Sequence, residues 1–193
     1  MQIADTAQFT KIVLQNPSVR ILWNSWDQLD LKNCWIVAGC LAQTVWNSRF
    51  GLPVEHGISD LDLVYFDSGD LSALSRQRHA ERIRKMLKDL PVWIDVKNEA
   101  RVHCWYKEKF GTSIRPYSSV EDAIDTFPTT ATTIGIRPRG KGMEVYATFG
   151  LPDVLGGIVR ANKRQITAGI YDAKVAKWRE RWPDLTIVPW DEN

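Results

Sequence analysis

The sequence predicts an α/β fold of the α+β kind, a single domain in which a mixed β-sheet is flanked by helices. Two observations point to this class. Short apolar runs bounded by glycine or proline alternate with longer segments whose apolar residues recur at helical spacing. The 193 residues suit one compact domain, and no repeat, low-complexity tract or Pro/Ser-rich linker divides them. We expect one domain over residues 1–193, with its core at about residues 30–150 and a C-terminal helix packed on it.

The N-terminal part is predicted to be helical. Asn16 followed by Pro17 is a typical N-cap and first-turn pair. The apolar residues after this pair fall on one helical face that we expect to be buried: Val19, Leu22, Trp26 and Leu29.

The next segment is predicted to form a strand, a helix and a second strand. The short apolar run in "CWIVAGC" ends at Gly39, and "LAQTVWNSRF" is predicted to be a helix that begins just beyond this glycine. A loop containing Pro53 and Gly57 follows. The stretch "ISDLDLVYFD", residues 58–67, is then predicted to be the second strand.

A basic amphipathic helix and a third strand come next. The helix is predicted from about Leu71 to Leu90, and the arginines and lysines between residues 76 and 88 favour a solvated face over a polyanion-binding surface. Pro91 ends it, and "VWIDVKNEARV" is predicted to be a strand. The helical spacing is carried by these apolar residues: Leu71, Leu74, Ile83, Met86, Leu87 and Leu90.

The C-terminal half contributes a short helix, a hairpin and a closing helix. Ser118 with Glu121 predicts a capping box for a helix through Phe127. The segments "TTIGIR" and "MEVYA" flank the turn-rich "PRGKG", which is typical of a β-hairpin. The last predicted helix closes the core with Tyr171, Val175, Trp178 and Trp182.

Composition limits the possible functions. The formal net charge of +2 neither requires a nucleic-acid partner nor excludes one. Cys34, Cys40 and Cys104 have no CxxC spacing, which favours free thiols over a structural zinc site. No signal-peptide pattern occurs, and no apolar run reaches the roughly 18 residues of a membrane span. We expect a cytoplasmic protein with no membrane partner.

Two acids inside a predicted strand are the strongest sign of a site. Alternation points Asp60 and Asp62 to one face, about 6 to 7 Å apart at their Cα atoms, whereas Leu61 and Leu63 face the core. Asp is depleted from strands, and like charges so placed repel. A solvated edge explains the pair, and so does a divalent cation such as Mg²⁺ held by hard oxygen ligands.

Two further features favour the metal. Asp95 lies in the next predicted strand, which lies beside the first if the basic helix returns the chain across the sheet. Gly39 and Cys40 lie at a strand-to-helix turn, where free N–H groups and the helix N-terminus suit a phosphate. Taken separately, Asp95 is explained as a surface charge and Gly39 as a turn residue. Together with the acid pair they favour phosphoryl-transfer chemistry.

These residues resemble the polymerase-beta-type nucleotidyltransferase superfamily, and most closely a bacterial branch of predicted nucleotidyltransferases. The similar segments span about residues 35–155 and include "GCLAQTVWN", "ISDLDLVYFD", "VKNEARVHCW", "PYSSVEDAIDTFPTTATTIGIR" and "EVYATFGLPD". The resemblance implies a mixed β-sheet of the nucleotidyltransferase type. It also implies transfer of a nucleoside monophosphate from a nucleoside triphosphate to an acceptor hydroxyl, with release of pyrophosphate.

The resemblance also implies roles for residues. Asp60, Asp62 and Asp95 correspond to catalytic metal ligands for Mg²⁺, with two ions expected and Mn²⁺ as a possible substitute. Gly39 and Cys40 correspond to the phosphate-holding turn. Relatives usually have Ser or Gly at the position of Cys40, and a thiol is a poorer donor, so the phosphate role falls mainly to backbone N–H groups. The acceptor is not identified by the sequence.

The sequence gives less evidence that other polar residues belong to this site. Lys97 and Arg101 could offset phosphate charge, but alternation places both on the face of Asp95 only if the strand continues that far. His103 is expected to be structural.

Two remaining polar features are explained without a ligand. Strand propensity explains the threonine-rich segment Thr129–Thr133 as well as ligand binding does. Asp67 faces away from the acid pair and is expected in the turn before the basic helix.

Two other functions stay open. Asp95 and Lys97 have the acid-x-Lys spacing of PD-(D/E)xK nucleases, with Asp62 as the upstream acid, but this hypothesis leaves Asp60 and the Gly39 turn unexplained. The third hypothesis is a non-catalytic domain that binds a nucleotide or a partner.

Overall fold

The structure, a computed structural model, describes residues 3–192 of the chain. The strands are β1 Trp35–Val37, β2 Asp60–Tyr65, β3 Trp93–Asn98, β4 Ile134–Arg139, β5 Gly142–Ala147, β6 Ile158–Val159 and β7 Thr186–Ile187. The first five form one sheet in the order β3-β2-β1-β4-β5, and β6 pairs with β7 in a second, small sheet. The predicted α/β class with a mixed sheet is confirmed.

Eight α-helices lie within the described residues. They are α1 Ile3–Val13, α2 Pro17–Asn24, α3 Gly39–Arg49, α4 Ala73–Met86, α5 His103–Phe110, α6 Val120–Ile124, α7 Pro152–Gly156 and α8 Ala168–Arg181. None of the helices within residues 3–192 has the length and apolarity that a membrane crossing requires.

The strand directions follow from the connections. The middle strand β1 runs antiparallel to both β2 and β4. Because α4 returns the chain across the sheet, β3 lies parallel to β2. The predicted hairpin is confirmed, since β4 and β5 pair antiparallel around a turn that contains Gly140 with a φ of 59°.

The two faces of the sheet are covered differently. On one face, alternate residues such as Leu61, Leu63 and Val96 enter the main core beneath α1 to α4, α7 and α8. On the other face, Val64 packs with residues of β1 and α6. The acidic start of β2 on this second face stays partly open to solvent, since Asp60 is exposed and Asp62 is half-buried.

Buried polar contacts fix the terminal helices to α3. Asn16 is the predicted N-cap of α2, and its side-chain nitrogen also donates to Thr44 Oγ1 of α3 at 2.8 Å. At the other end, Trp182 Nε1 donates to Asn47 Oδ1 at 2.6 Å. The predicted closing helix is therefore confirmed, with Tyr171, Val175, Trp178 and Trp182 all buried.

Two predicted elements end earlier than the sequence indicates. The basic helix begins after its N-cap Ser72 instead of at Leu71, and it ends at Met86 instead of Leu90. Leu74, expected on the apolar face, is more than half exposed. The strand after Pro91 ends at Asn98, because the Asn98 side chain accepts the N–H of Ala100 and caps a 3-10 turn, Glu99–Arg101. The helix α5 that follows was not predicted.

Two local predictions are wrong by a small shift. The N-cap of α6 is Ser119, which accepts the N–H of Asp122, so the capping box at Ser118 and Glu121 does not form. The segment Thr129–Thr133 is no strand: residues 130–132 form a 3-10 turn and β4 begins only at Ile134.

Candidate active site

The register of two parallel strands brings two of the predicted acids together. Asp62 of β2 lies directly opposite Asp95 of β3, and Asp60 lies two pairs along the register, opposite Trp93. Alternation works as predicted, because Leu61 and Leu63 are fully buried on the other face. The three carboxylates therefore share one partly open face of the sheet.

Lys97 lies on the same face and joins two of these acids. Its ammonium nitrogen is 2.6 Å from Asp62 Oδ1 and 2.9 Å from Asp95 Oδ2. Burial lowers the pKa of Lys97, but the negative charges of Asp62 and Asp95 raise it more, so the group stays protonated. Burial also raises the pKa of Asp62, which the charge of Lys97 only partly offsets. The site is thus an acid–lysine–acid bridge with Asp60 outside it.

Asp60 takes no part in this bridge. Its Oδ1 accepts a hydrogen bond from Ser59 Oγ at 2.9 Å, and the residue is exposed. Asp60 and Asp62 are two positions apart in the strand. Their carboxylates are therefore close enough to share a cation after a change of side-chain rotamer.

The N-terminus of α3 opens beside the acids. Val37 at the end of β1 pairs with Asp62, so the residues after it approach Asp60. Ala38 adopts an unusual φ of 61° and ψ of −126° for a residue with a side chain, and its N–H bonds to Ile134 O at 3.0 Å. This sharp turn starts the helix at Gly39. No side chain among the described residues caps it, so its first N–H groups can meet an anion.

The Cys40 side chain itself faces the core. Cys40 is buried, and its Sγ lies 3.9 Å from Asn16 Nδ2. Burial, together with the negative charges of Asp62 and Asp60, raises the pKa of the thiol to about 12. The thiol is therefore neutral, and only the backbone of Cys40 can contribute to a phosphate site.

Two ionisable residues near the acids were missed from the sequence. Glu99 is buried just beyond β3, and burial raises its pKa to about 7, with Lys97 lowering it and Asp62 raising it. Its two-residue spacing after Lys97 was the signal that could have revealed it.

The second missed residue is Lys174 on α8. Burial lowers its pKa, while the charges of Asp62 and Asp60 act in the opposite direction, which places its ammonium group near the acids. Its Nζ lies 4.9 Å from the centre of the Trp178 ring. No sequence pattern could have found it, because only the packing of α8 brings it to the site.

Arg101 and His103 do not join the acids. Because β3 ends at Asn98, alternation no longer applies to Arg101, which donates instead to the Leu71 carbonyl at 3.2 Å. The condition for Arg101 to share the face of Asp95, a strand that continues to residue 101, is therefore not met. His103 opens α5, and its Nε2 lies 3.5 Å from Cys104 Sγ.

The threonine segment and Asp67 also form local hydrogen bonds away from the acids. The hydroxyls of Thr129 and Thr132 bond to each other at 2.8 Å, and Thr133 donates to Thr130 O, also at 2.8 Å. Asp67 accepts the N–H of Gly69 in the turn before α4, as predicted.

The oxygen atoms of the three acids suit a divalent cation chemically, but they are not arranged around a common point. Among residues 3–192, no three His, Cys, Asp or Glu side chains already form a metal cluster. Lys97 lies between Asp62 and Asp95 instead, within 3 Å of an oxygen atom of each. Carboxylate oxygens are the ligands that Mg²⁺ and Mn²⁺ prefer. These residues could therefore hold the ion once the lysine moves aside.

Comparison with known proteins bears on the family and the fold of the chain. A family model described as nucleotidyltransferase matches residues 24–187. A solved structure, described as an NMR structure that reveals a CCA-adding enzyme head domain, is 22% identical and covers 95% of each chain with a TM-score of 0.77. No curated protein matches the chain. The structural likeness shows the fold, which is that of this head domain.

The family match covers most of the chain, and it includes β1, the start of α3 and the three acids of β2 and β3. The family model by itself therefore assigns the chain. The chain is an enzyme that belongs to the nucleotidyltransferase family.

Proposed function

We propose that this enzyme transfers a nucleoside monophosphate from a nucleoside triphosphate to an acceptor hydroxyl in a Mg²⁺-dependent reaction that releases pyrophosphate. One observation carries the proposal: the pairing of Asp62 with Asp95 on parallel strands, next to the uncapped N-terminus of α3. Carboxylates beside a phosphate-binding helix end are what phosphoryl transfer requires. The free thiols of the three cysteines support a cytoplasmic setting.

The acids would hold the metal. Asp60 and Asp62 would bind it from β2, and Asp95 from β3, with Mn²⁺ as a possible substitute. When bound, Mg²⁺ supplies Lewis-acid stabilisation of the charge on the transferred phosphoryl group.

The protein's own groups bind and orient the substrates. The N–H groups of Gly39 and Cys40 at the start of α3 are suited to donate to the triphosphate oxygens. Lys97 and Lys174 add positive charge for the pyrophosphate that leaves. Asp95 lies on the outer of the two acidic strands, where its carboxylate would face an incoming acceptor.

The reaction exchanges one phosphorus–oxygen bond for another. The acceptor oxygen bonds to the α-phosphorus, while the bond from that phosphorus to the bridging oxygen of pyrophosphate breaks. The acceptor hydroxyl loses its proton to the Asp95 carboxylate or to water. Because the bonds made and broken are alike, the catalytic gain comes from positioning and charge stabilisation.

Thermal-shift titration with Mg²⁺ and each nucleoside triphosphate tests the proposal. A triphosphate that binds the folded state at 100 times its Kd stabilises it by about 2.7 kcal/mol, so we expect the Tm to rise by several degrees. The double variant Asp60→Ala with Asp62→Ala should lose this Mg²⁺-dependent rise. The proposal fails if no triphosphate raises the Tm of the wild type, or if the double variant responds equally.

The nuclease hypothesis has one observation in its favour, the contact of Lys97 with Asp62 and Asp95. It makes a different prediction. A nuclease would cleave labelled nucleic acid with Mg²⁺ alone, whereas the proposed transferase needs a nucleoside triphosphate.

A further inference from the structure

Lys97 stands where a cation is expected in the proposed metal site. Its Nζ is within 3 Å of both Asp62 Oδ1 and Asp95 Oδ2, at 2.6 and 2.9 Å. A divalent ion between these carboxylates would need the same two oxygens. Two positive charges cannot share that position, because at about 4 Å they repel by several kcal/mol at an effective dielectric constant near 20.

The lysine is free to leave this position. About 41% of its side chain is exposed, compared with 20% for Asp62 and 32% for Asp95. The acids are fixed on neighbouring strands by the sheet register, while Lys97 ends in a flexible stem with a mobile ammonium group. The part that can move is therefore the lysine.

We propose that Lys97 is an internal counterion of the metal-free enzyme, which the divalent metal displaces and which then turns to the phosphates of the nucleotide. In the metal-free enzyme its positive charge offsets the repulsion between the two carboxylates and holds them together. In the loaded enzyme the same ammonium group lies next to the metal and faces the triphosphate charge. This role of Lys97 rests on the proposed function and adds an ordered exchange of cations to it.

The surrounding charges support such an exchange. Glu99 is buried two residues beyond Lys97, and its pKa responds to the charges of Lys97, Asp62 and Asp95. Burial raises the pKa of Glu99 to about 7, so this residue is left out of the charge count. The remaining three acids, Asp60, Asp62 and Asp95, still outnumber the two lysines, Lys97 and Lys174, so a divalent ion gains net attraction at the carboxylates.

Metal binding without nucleotide tests the exchange directly. Titration of the full chain with Mn²⁺, followed by the electron paramagnetic resonance signal of the free ion, gives a Kd that needs no activity. The variant Lys97→Met removes the competing charge and keeps the length of the stem. We expect it to bind Mn²⁺ at least about tenfold more tightly than the wild type.

Two further variants separate direct competition from general electrostatics. Lys174→Met removes a positive charge near the same acids without a hydrogen bond to them, and should change the Kd by no more than about threefold. Lys97→Arg keeps the charge and can bind both carboxylates, so it should bind Mn²⁺ no more tightly than the wild type. It also serves as the informative variant if Lys97→Met does not fold.

The outcomes distinguish this inference from the proposed function. The inference is wrong if Lys97→Met binds Mn²⁺ as weakly as the wild type, or if Lys174→Met gains as much affinity as Lys97→Met. In both cases Lys97 does not compete with the metal, but the carboxylates still bind it. If Lys97→Arg binds more tightly than the wild type, the inference is equally wrong. If neither the wild type nor Lys97→Met binds Mn²⁺ at millimolar concentrations, the carboxylate site and the proposed function both fail.

Discussion

Asp62 and Asp95 lie directly opposite each other on the parallel strands β2 and β3, and the ammonium group of Lys97 bridges their carboxylates. Both acids come from strands whose other faces are fully buried, so neither backbone can move without disturbing the core. A pair of acids on a rigid support suits a site that must hold metal and phosphate in a fixed geometry.

The first prediction concerns this pair. Asp62→Asn and Asp95→Asn each remove one negative charge and one metal-binding oxygen, so the affinity for a nucleoside triphosphate with Mg²⁺ should fall at least about tenfold. Isothermal titration calorimetry with and without Mg²⁺ measures the change. Asp67→Asn is the matched control, because Asp67 lies in the turn before α4 and should keep wild-type affinity. Equal losses in all three variants would point to a general charge effect.

The second prediction is a pH dependence of stability at Glu99. Burial raises the pKa of this carboxyl from 4.5 to about 7, so between these values the folded state holds a proton that the unfolded state has lost. Stability contributed by the protonated form is therefore lost as the pH rises from about 4.5 to 7. Glu99→Gln cannot ionise and should be more stable than the wild type at pH 8, by at most about 3 kcal/mol.

Urea unfolding at pH 5 and pH 8 measures this effect. The advantage of Glu99→Gln should shrink towards zero at pH 5, where the wild-type carboxyl is mostly protonated in the folded state. Glu108→Gln changes an exposed glutamate on α5 and should show no such trend. An advantage that is the same at both pH values would contradict the assignment.

The third prediction concerns thiol reactivity. Burial raises the pKa of Cys34 to about 11 and that of Cys40 to about 12, whereas Cys104 is exposed. At pH 8 a disulfide reagent such as DTNB should therefore modify one thiol rapidly in the folded protein and all three after denaturation. Cys104→Ser should abolish the rapid phase. A second rapid thiol would show that one of the buried cysteines is accessible.

The fourth prediction tests the packing of the C-terminal helix on the loop before β2. Gly57 has a φ of 69°, and a Cβ atom there would lie 2.8 Å from the Trp182 ring, so Gly57→Ala should combine backbone strain with steric overlap. We expect it to lower the free energy of unfolding by about 2 to 4 kcal/mol. Gly51 has a similar φ of 66° with open space around it, and Gly51→Ala should cost only about 1 to 2 kcal/mol. Equal costs in urea unfolding would mean that the Trp182 contact has no effect.

Much of the candidate site was predictable because it depends on local rules. Strand alternation alone separates Asp60 and Asp62 from Leu61 and Leu63, and the structure follows it. The same local logic predicted the N-cap at Asn16. These features involve residues a few positions apart, whose relative placement the backbone geometry fixes.

Local rules failed where a side chain changed the course of the backbone. The Asn98 side chain ends β3 by accepting the N–H of Ala100, which removes Arg101 from the face of Asp95. The thiol of Cys40 turns into the core towards Asn16, although Cys40 lies at the predicted phosphate turn. In each case a competing hydrogen bond or burial outweighed the periodic pattern.

The sequence by itself determined that two acids share a strand face and that a glycine turn starts the helix before them. Only the tertiary structure decided that Asp95 lies opposite Asp62, that Lys97 bridges them, and that Lys174 approaches from α8. The physical reason is that a strand fixes which face a residue occupies, whereas the register between strands and the packing of a distant helix depend on burying the whole core.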